Sequence, residues 1–355
     1  MNAVNQTPAS QAELSDFYGR IDAVEMAPLW ESLHVLVSRQ PVNPAVPHIW
    51  RYREVTRPFL MEAGALITAR QAERRVLILE NPALRGKACI TQSLYAGLQL
   101  VPPGEIAPAH RHTQNALRFI IEGEGAYTTV DGEQTVMGPG DLVITPAWQW
   151  HDHGNETREP MVWLDALDIP IVNFLGTSFA QAANVERQTI SRSAGDSHMR
   201  YGNNLAPVDW KASSLSSPVF SYPYHRTRES LVWMSTNGPA DPCHGYKLRY
   251  INPATGDHVT PTMAAFMQLM PARFETVSYR STDGMVFQVV EGEGETLIGD
   301  KRFRWDSGDV FVVPGWTSCT HRIVKEAILF SFSDRSMQEK IGLWREERAD
   351  HVDEG

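Results

Sequence analysis

The chain is expected to be an all-β protein made of two copies of a small β-barrel, with a helical N-terminal segment and a C-terminal helix. Three observations predict this. From residue 88 onward the sequence breaks into short runs such as LRFIIEG, GAYTTV, DLVITP and MVWLDALDI, separated by Gly, Pro and Asp. Short β-rich runs punctuated in this way form sandwiches or barrels. The second observation is an internal repeat: FIIEGEGAYTTVDGE returns as FQVVEGEGETLIGDK, and GPGDLVITPAWQWH returns as DSGDVFVVPGWTSC. Matching segments in the same order and at similar spacing mark a duplicated unit. The third is the placement of His110, His112 and His151. Side chains on a strand alternate with period two, so His110 and His112 share one face, and His151 comes from a later strand.

The elements follow in order. Residues 1–87 read as a helical and extended region. SDFYGRIDAVEMAPLWESLHVLV carries apolar residues at three- and four-residue spacing, interrupted at Pro28. The Pro-rich, aromatic stretch from Pro41 to Arg53 reads as an extended arm on a barrel. GALITARQAERRV, from Gly64 to Val76, returns to helix-like spacing and holds Arg70 and Arg74. The first barrel spans 88–175, a Ser- and Pro-rich connection 176–245, and the second barrel 246–336. Residues 337–355 are expected to form an amphipathic helix and a charged tail.

Bulk properties narrow the function. A chain of 355 residues is long enough for two domains. No apolar run is long enough to cross a bilayer, and the N-terminus lacks a basic-then-apolar signal pattern. Cys89, Cys243 and Cys319 show no close pairing, which fits a reducing cytoplasm. The net charge of −10 argues against nucleic acid or an anionic membrane as partner. An anionic ligand would have to be attracted by the pocket itself.

Three imidazoles converging in an apolar barrel make a site for a divalent transition metal. Zinc accepts three histidines, but an octahedral ion with open adjacent positions suits Fe(II) and O2 better. Aligning the halves puts His110 and His112 over Tyr279 and Ser281, His151 over Cys319 and His153 over His321. The second barrel is therefore expected to be structural and free of metal. His153 shares the face of His151 and is a candidate acid/base or a supporting residue. Arg118 lies an even number of residues beyond His112, so an unbroken strand would turn it inward. A buried arginine needs an anion; a substrate carboxylate is one candidate and Asp165 an internal one. Tyr95, Gly97 and Gln99 share a strand face, where Tyr95 could stack on a ring, Gly97 leave room and Gln99 bond a ligand oxygen. Arg70 and Arg74, four apart, either present one cationic face to the barrel mouth or are simply solvated.

The arrangement PGE-x-x-P-x-H-x-H, an EGEG turn, a Gly-Asp hairpin and P-x-W-x-x-H resembles the cupin superfamily. Many cupins add a glutamate ligand three or four residues after the second histidine; here Ala116 and Leu117 stand there and cannot coordinate. The runs AGLQLVPPGEIAPAHRHTQNALRFIIEGEGAYTTVDGE, TPAWQWHDHGN and WLDALDIP look like bacterial gentisate 1,2-dioxygenase, and the resemblance covers nearly the whole chain. It implies a bicupin of two jelly-roll barrels, commonly a homotetramer, with one Fe(II) in the N-terminal barrel. The implied reaction opens gentisate with O2 to maleylpyruvate, in aromatic catabolism. By resemblance His110, His112 and His151 are the ligands, while Arg118, Arg74 and Arg70 face the substrate carboxylate. Gln99, His153 and Asp165 contact its oxygens or assist proton transfer, and Tyr95 lines the ring pocket. Salicylate and 1-hydroxy-2-naphthoate dioxygenases share the scaffold; the salicylate enzyme carries tryptophan where this chain has Tyr95. Two rivals differ in class. A zinc or manganese sugar-phosphate isomerase would want a fourth protein ligand and phosphate-binding lysines. A ligand-sensing cupin would want a DNA-binding domain. Neither signal is evident.

Overall fold

A computed structural model describes residues 9–349 apart from residue 213. In the N-terminal unit, Met1–Val42, helices span Gln11–Asp22 and Leu29–Leu36. Ser10 Oγ accepts from Glu13 N, and the Glu13 carboxylate accepts from Ser10 N, closing a capping box at the first helix. The interruption expected at Pro28 is present, with Pro28 as the N-cap of the second helix. Neither helix buries a residue within the chain.

The remaining unit, Asn43–Gly355, holds both β halves. In the first half a six-stranded sheet runs Ser221–Tyr222, Leu142–Thr145, Ala116–Glu122, Met161–Leu167, Tyr95–Val101, Arg75–Ile78. A five-stranded sheet runs Ala180–Ala182, Ile106–His112, His151–Gly154, Tyr127–Val130, Glu133–Val136. Val101, Ile120, Val143 and Trp163 of the first meet Ala126 and Met137, which flank the paired strands Tyr127–Val130 and Glu133–Val136 of the second, in one apolar cluster. The second half repeats the order as His48–Trp50, Val310–Val313, Met285–Ile298, Cys319–Ser333, Ala264–Met270, Tyr246–Arg249. Its long strands Met285–Ile298 and Cys319–Ser333 stay paired through register shifts between Val289 and Gly294. That is where the EGEG motif bends the chain. Gly292 sits at φ +90°, and a Cβ there would lie 2.2 Å from the Glu326 carbonyl oxygen, so only glycine fits. This is the duplicated jelly roll that the repeat predicts.

The repeat motifs also lock the halves together. The arm strand His48–Trp50, ahead of the first barrel, pairs with Val310–Val313 of the second, and Ser221–Tyr222 pairs with Leu142–Thr145 of the first. Asp309 of the second Gly-Asp pair accepts from Tyr52 N at 2.8 Å and Arg51 Nη1 at 2.9 Å. Asp141 of the first accepts from Tyr224 N at 2.8 Å. Glu122 takes Tyr52 Oη and Arg57, and Glu291 takes Tyr224 Oη and Arg228. Between the barrels lies a shared core containing Leu98, Leu117, Leu164, Met267 and Phe332, in which Phe119 stacks on Phe330 at 4.0 Å.

Three expectations are corrected. Gly64–Val76 is not one helix: a helix spans Arg57–Leu66, a single turn Ala69–Ala72 is capped by Thr68, and a strand begins at Arg75. The C-terminal helix covers only Arg335–Lys340; after Gly342, at φ +75°, a strand Glu346–Arg348 pairs with Tyr279–Ser281. The rest of the charged tail lies outside the described residues. The connection contains an unforeseen helix, Tyr224–Asn237, which buries Leu231.

Replacing Asp309 with Ala should lower stability by about 2–4 kcal/mol, because it strands two donors at the barrel junction; chemical denaturation measures this. Asp334 gives a pH signature. Burial and neighbouring Asp283 push its carboxyl up to about 6. An unfolded aspartate titrates near ~3.9, so the folded state holds the proton more tightly. Stability attributable to this group therefore falls as pH rises from about 4 to about 6, by up to about 3 kcal/mol. Thermal unfolding from pH 4 to 7 should show that decline in the native protein and a flatter curve in Asp334→Asn.

Candidate metal centre

Two paired strands bring the three imidazoles together. His110 and His112 leave the same face of Ile106–His112, and His151 is the register partner of His110 across the five-stranded sheet. Ring centroids lie 4.0 Å apart for His110–His151, 4.8 Å for His112–His151 and 5.6 Å for His110–His112. One nitrogen from each falls within 4.8 Å of the others, and among the described residues this is the group with metal-binding geometry.

The backbone sets the tautomers. Nδ1 of His110 lies 2.9 Å from the Pro108 carbonyl oxygen, that of His112 3.0 Å from Gln114 O, and that of His151 2.9 Å from Gln149 O. A carbonyl only accepts, so each Nδ1 carries the proton and each Nε2 keeps its lone pair for an ion. Burial, with the Arg74 charge second, lowers His110 to about 3. Burial chiefly lowers His112 to about 4 and sets His151 well below its ordinary value. All three are thus neutral donors near neutral pH, and the donor set fits a divalent transition metal.

Around them is a cavity of about 410 Å³, lined also by Arg74, Val76, Tyr95, Gln99, Arg118, His153 and Asp165. Its back wall follows strand parity. In Ala116–Glu122, Ala116, Arg118 and Ile120 point into the barrel while Leu117 and Phe119 enter the inter-barrel core. Gln99 is buried on the inward face of Tyr95–Val101, and its side chain makes no hydrogen bond among the described residues. Burial and the Asp165 charge raise the Tyr95 phenol, so it remains un-ionised. His153 is buried, with Nδ1 2.9 Å from Thr128 Oγ1.

Several expectations change here. Arg118 does reach the cavity, but from a new strand begun at Ala116 after a break at Thr113–Asn115, so the unbroken-strand argument does not apply. Its charge is met inside the protein. Asp165 stands opposite it in register, with Arg118 Nε 3.2 Å from Asp165 Oδ1 in a buried ion pair. Arg118 also lies 5.1 Å over the Trp163 ring. Arg70 and Arg74 share no helical face, because the turn ends at Ala72 and Glu73 takes φ +52°. Strand parity instead turns Arg74 and Val76 to the cavity and Arg75 away, onto Glu105; Arg70 is exposed and does not line it. Gly97 does not line it either. A Cβ there would sit 2.4 Å from Val76 Cγ1 and 2.9 Å from Tyr95 Oη, so the space it leaves is filled by those two side chains. Sequence reasoning missed Gln114, Leu167, Ile169, Asn173 and Ser178 on the rim. Gln114, two residues past His112 and bonded to Ser178 at 2.8 Å, was the one with a positional cue.

A cupin-domain family model matches residues 97–167. Gentisate 1,2-dioxygenase 1 of Aquipseudomonas alcaligenes is 53% identical over 97% of this chain and 99% of its own length. The chain belongs to the gentisate 1,2-dioxygenase family. A Streptomyces gentisate 1,2-dioxygenase is 36% identical over 98% of this chain and 100% of its own. Among solved structures, the salicylate 1,2-dioxygenase of Pseudoaminobacter salicylatoxidans with gentisate superimposes at a TM-score of 0.90, with 33% identity, covering 98% of this chain and 97% of that one.

Replacing His110, His112 or His151 with Ala should abolish retention of stoichiometric metal through gel filtration, read by elemental analysis. His153→Ala should keep the metal, within the roughly 10–100-fold weakening that loss of an outer partner causes.

Proposed function

We propose that the chain is an Fe(II)-dependent gentisate 1,2-dioxygenase that converts gentisate and O2 to maleylpyruvate. The observation that carries this reading is the three-imidazole group, without a protein carboxylate, in a cavity of about 410 Å³. That volume suits a small aromatic acid. The identity to curated gentisate dioxygenases supports the substrate. Iron, held by His110, His112 and His151, would supply the redox chemistry that lets dioxygen react with the ring. The chain's own residues bind and orient. Arg74, at the rim and in no ion pair among the described residues, meets the substrate carboxylate. The Arg118–Asp165 pair polarises the floor beside it. Tyr95 packs on the ring, and Gln99 and His153 bond its oxygens.

Salicylate is a second substrate to test, because the superimposable enzyme is a salicylate dioxygenase. We also assign the chain to a reducing cytoplasm, supported by three buried, unpaired cysteines. The homotetramer expected from the family is supported by helices whose Trp30, Leu29, Leu33 and Leu36 stay exposed in the single chain; ultracentrifugation tests it.

After anaerobic loading with Fe(II), gentisate should drive stoichiometric oxygen uptake and formation of the ring-opened product. Its absence would overturn the assignment. Arg74→Gln should raise KM for gentisate about 10–100-fold, the value of a charge-assisted contact, while Arg70→Gln leaves it unchanged.

A further inference from the structure

His153 bonds a hydroxyl on the neighbouring strand, unlike the three clustered histidines, which bond backbone carbonyls. Thr128 is its register partner in the five-stranded sheet, fully buried, with Oγ1 2.9 Å from His153 Nδ1. The same pair recurs in the second barrel, where Thr296 faces His321 at 2.8 Å in matching register. The contact is thus a product of strand pairing, not an accident of one side chain.

A carbonyl fixes an imidazole tautomer by itself; a hydroxyl does so only if its own proton is engaged elsewhere. Thr128 Oγ1 meets that condition. It lies 3.3 Å from Met137 Sδ, to which it donates, and Arg118 Nη1 approaches it as a donor at 3.5 Å. Donation to sulfur leaves the oxygen as acceptor toward His153, so two hydrogen bonds form where the opposite polarity makes one. His153 Nδ1 then carries the proton. Nε2 has no hydrogen-bond partner among the described residues, and the ring lines the cavity. In the second barrel Trp305 Nε1 donates to Thr296 Oγ1 at 2.8 Å, and His321 Nε2 lies 3.8 Å from the Cys319 thiol. There the ring is enclosed by protein groups.

We propose that Thr128 is a positioning residue that holds His153 in its Nδ1–H tautomer, presenting Nε2 as the acceptor for a ring hydroxyl of the substrate. This deepens the gentisate reading and rests on it for the identity of the hydroxyl, but the tautomer itself does not.

The test separates the two. In protein labelled with 15N-histidine and loaded with diamagnetic zinc(II), the signal missing from His153→Gln should show a protonated Nδ1 and an unprotonated Nε2. Thr128→Ser should keep that pattern, and Thr128→Val should lose it with metal content unchanged. With Fe(II), Thr128→Val should lower kcat/KM for gentisate about tenfold, while Thr128→Ser stays within about twofold, as expected for one hydrogen bond. A wild-type His153 protonated at Nε2 would overturn the proposal, as would a Thr128→Val protein that keeps the native pattern. The wild-type spectrum alone decides the first point even if Thr128→Val does not fold. Native turnover failing while the tautomer pattern holds would sink the gentisate reading instead.

Discussion

The structure depends on a sheet that is buried on both faces. Strands Tyr95–Val101, Ala116–Glu122 and Met161–Leu167 carry the inter-barrel core on one side and the cavity on the other. With a side-chain period of two, slipping any of them by one residue would send Arg118 or Asp165 into the packing around Phe119 and Phe330. Register is therefore tightly specified, and the site inherits that precision. The Arg118–Asp165 pair is intelligible in these terms. Desolvation opposes the charged form of both groups, and each partner's charge works against that penalty. Removing either would leave the other charge buried and alone.

The duplication separates two jobs that a single barrel would have to combine. Gly-Asp and EGEG occur in both halves because each half uses them to hold the other's arm, through Asp309 with Tyr52 and Asp141 with Tyr224. The cavity positions carry no such shared duty and have diverged. Tyr279 and Cys319 are register partners just as His110 and His151 are, and Lys247 opposite Gln268 occupies the place of Val76 opposite Gln99. Lys247 has Met285 Sδ at 3.9 Å and the Phe266 ring at 4.7 Å. An ammonium in that position would repel a dication.

Much of this was legible in the sequence where period two and the repeat governed it. The histidine convergence, the two barrels and the inward Gln99 all follow from alternation or self-similarity. Features set by pairing across distant strands did not. Asp165 is one candidate partner for Arg118 in the sequence, but nothing beside Arg118 selects it over a substrate carboxylate, because the two meet only when Ala116–Glu122 aligns with Met161–Leu167. GALITARQAERRV has helical spacing and so places Arg74 on a helix; the positive φ at Glu73 ends the turn that holds Arg70, and strand parity then points Arg74, and not Arg75, to the cavity. Gly97 shows the same limit, since its neighbour Val76 comes from a strand whose register the local sequence does not state.

Charge ties fold to function. The chain carries a net −10, yet its cavity is built from neutral imidazoles, a balanced Arg118–Asp165 pair and the rim cation Arg74. With a dication in the imidazole cluster that cavity holds excess positive charge in a low-dielectric setting, where each interaction counts for more than in water. Among the described residues no carboxylate joins the imidazole cluster, so balancing anionic oxygens would arrive with the ligand. A carboxylate adjacent to a hydroxyl would bring anionic oxygens to the imidazole cluster and a group for Arg74 to bind. An acidic exterior discourages random anions, and the local field at the mouth selects those that can reach both cations at once. The same concentration of positive charge would make occupancy by an aromatic hydroxy acid favourable.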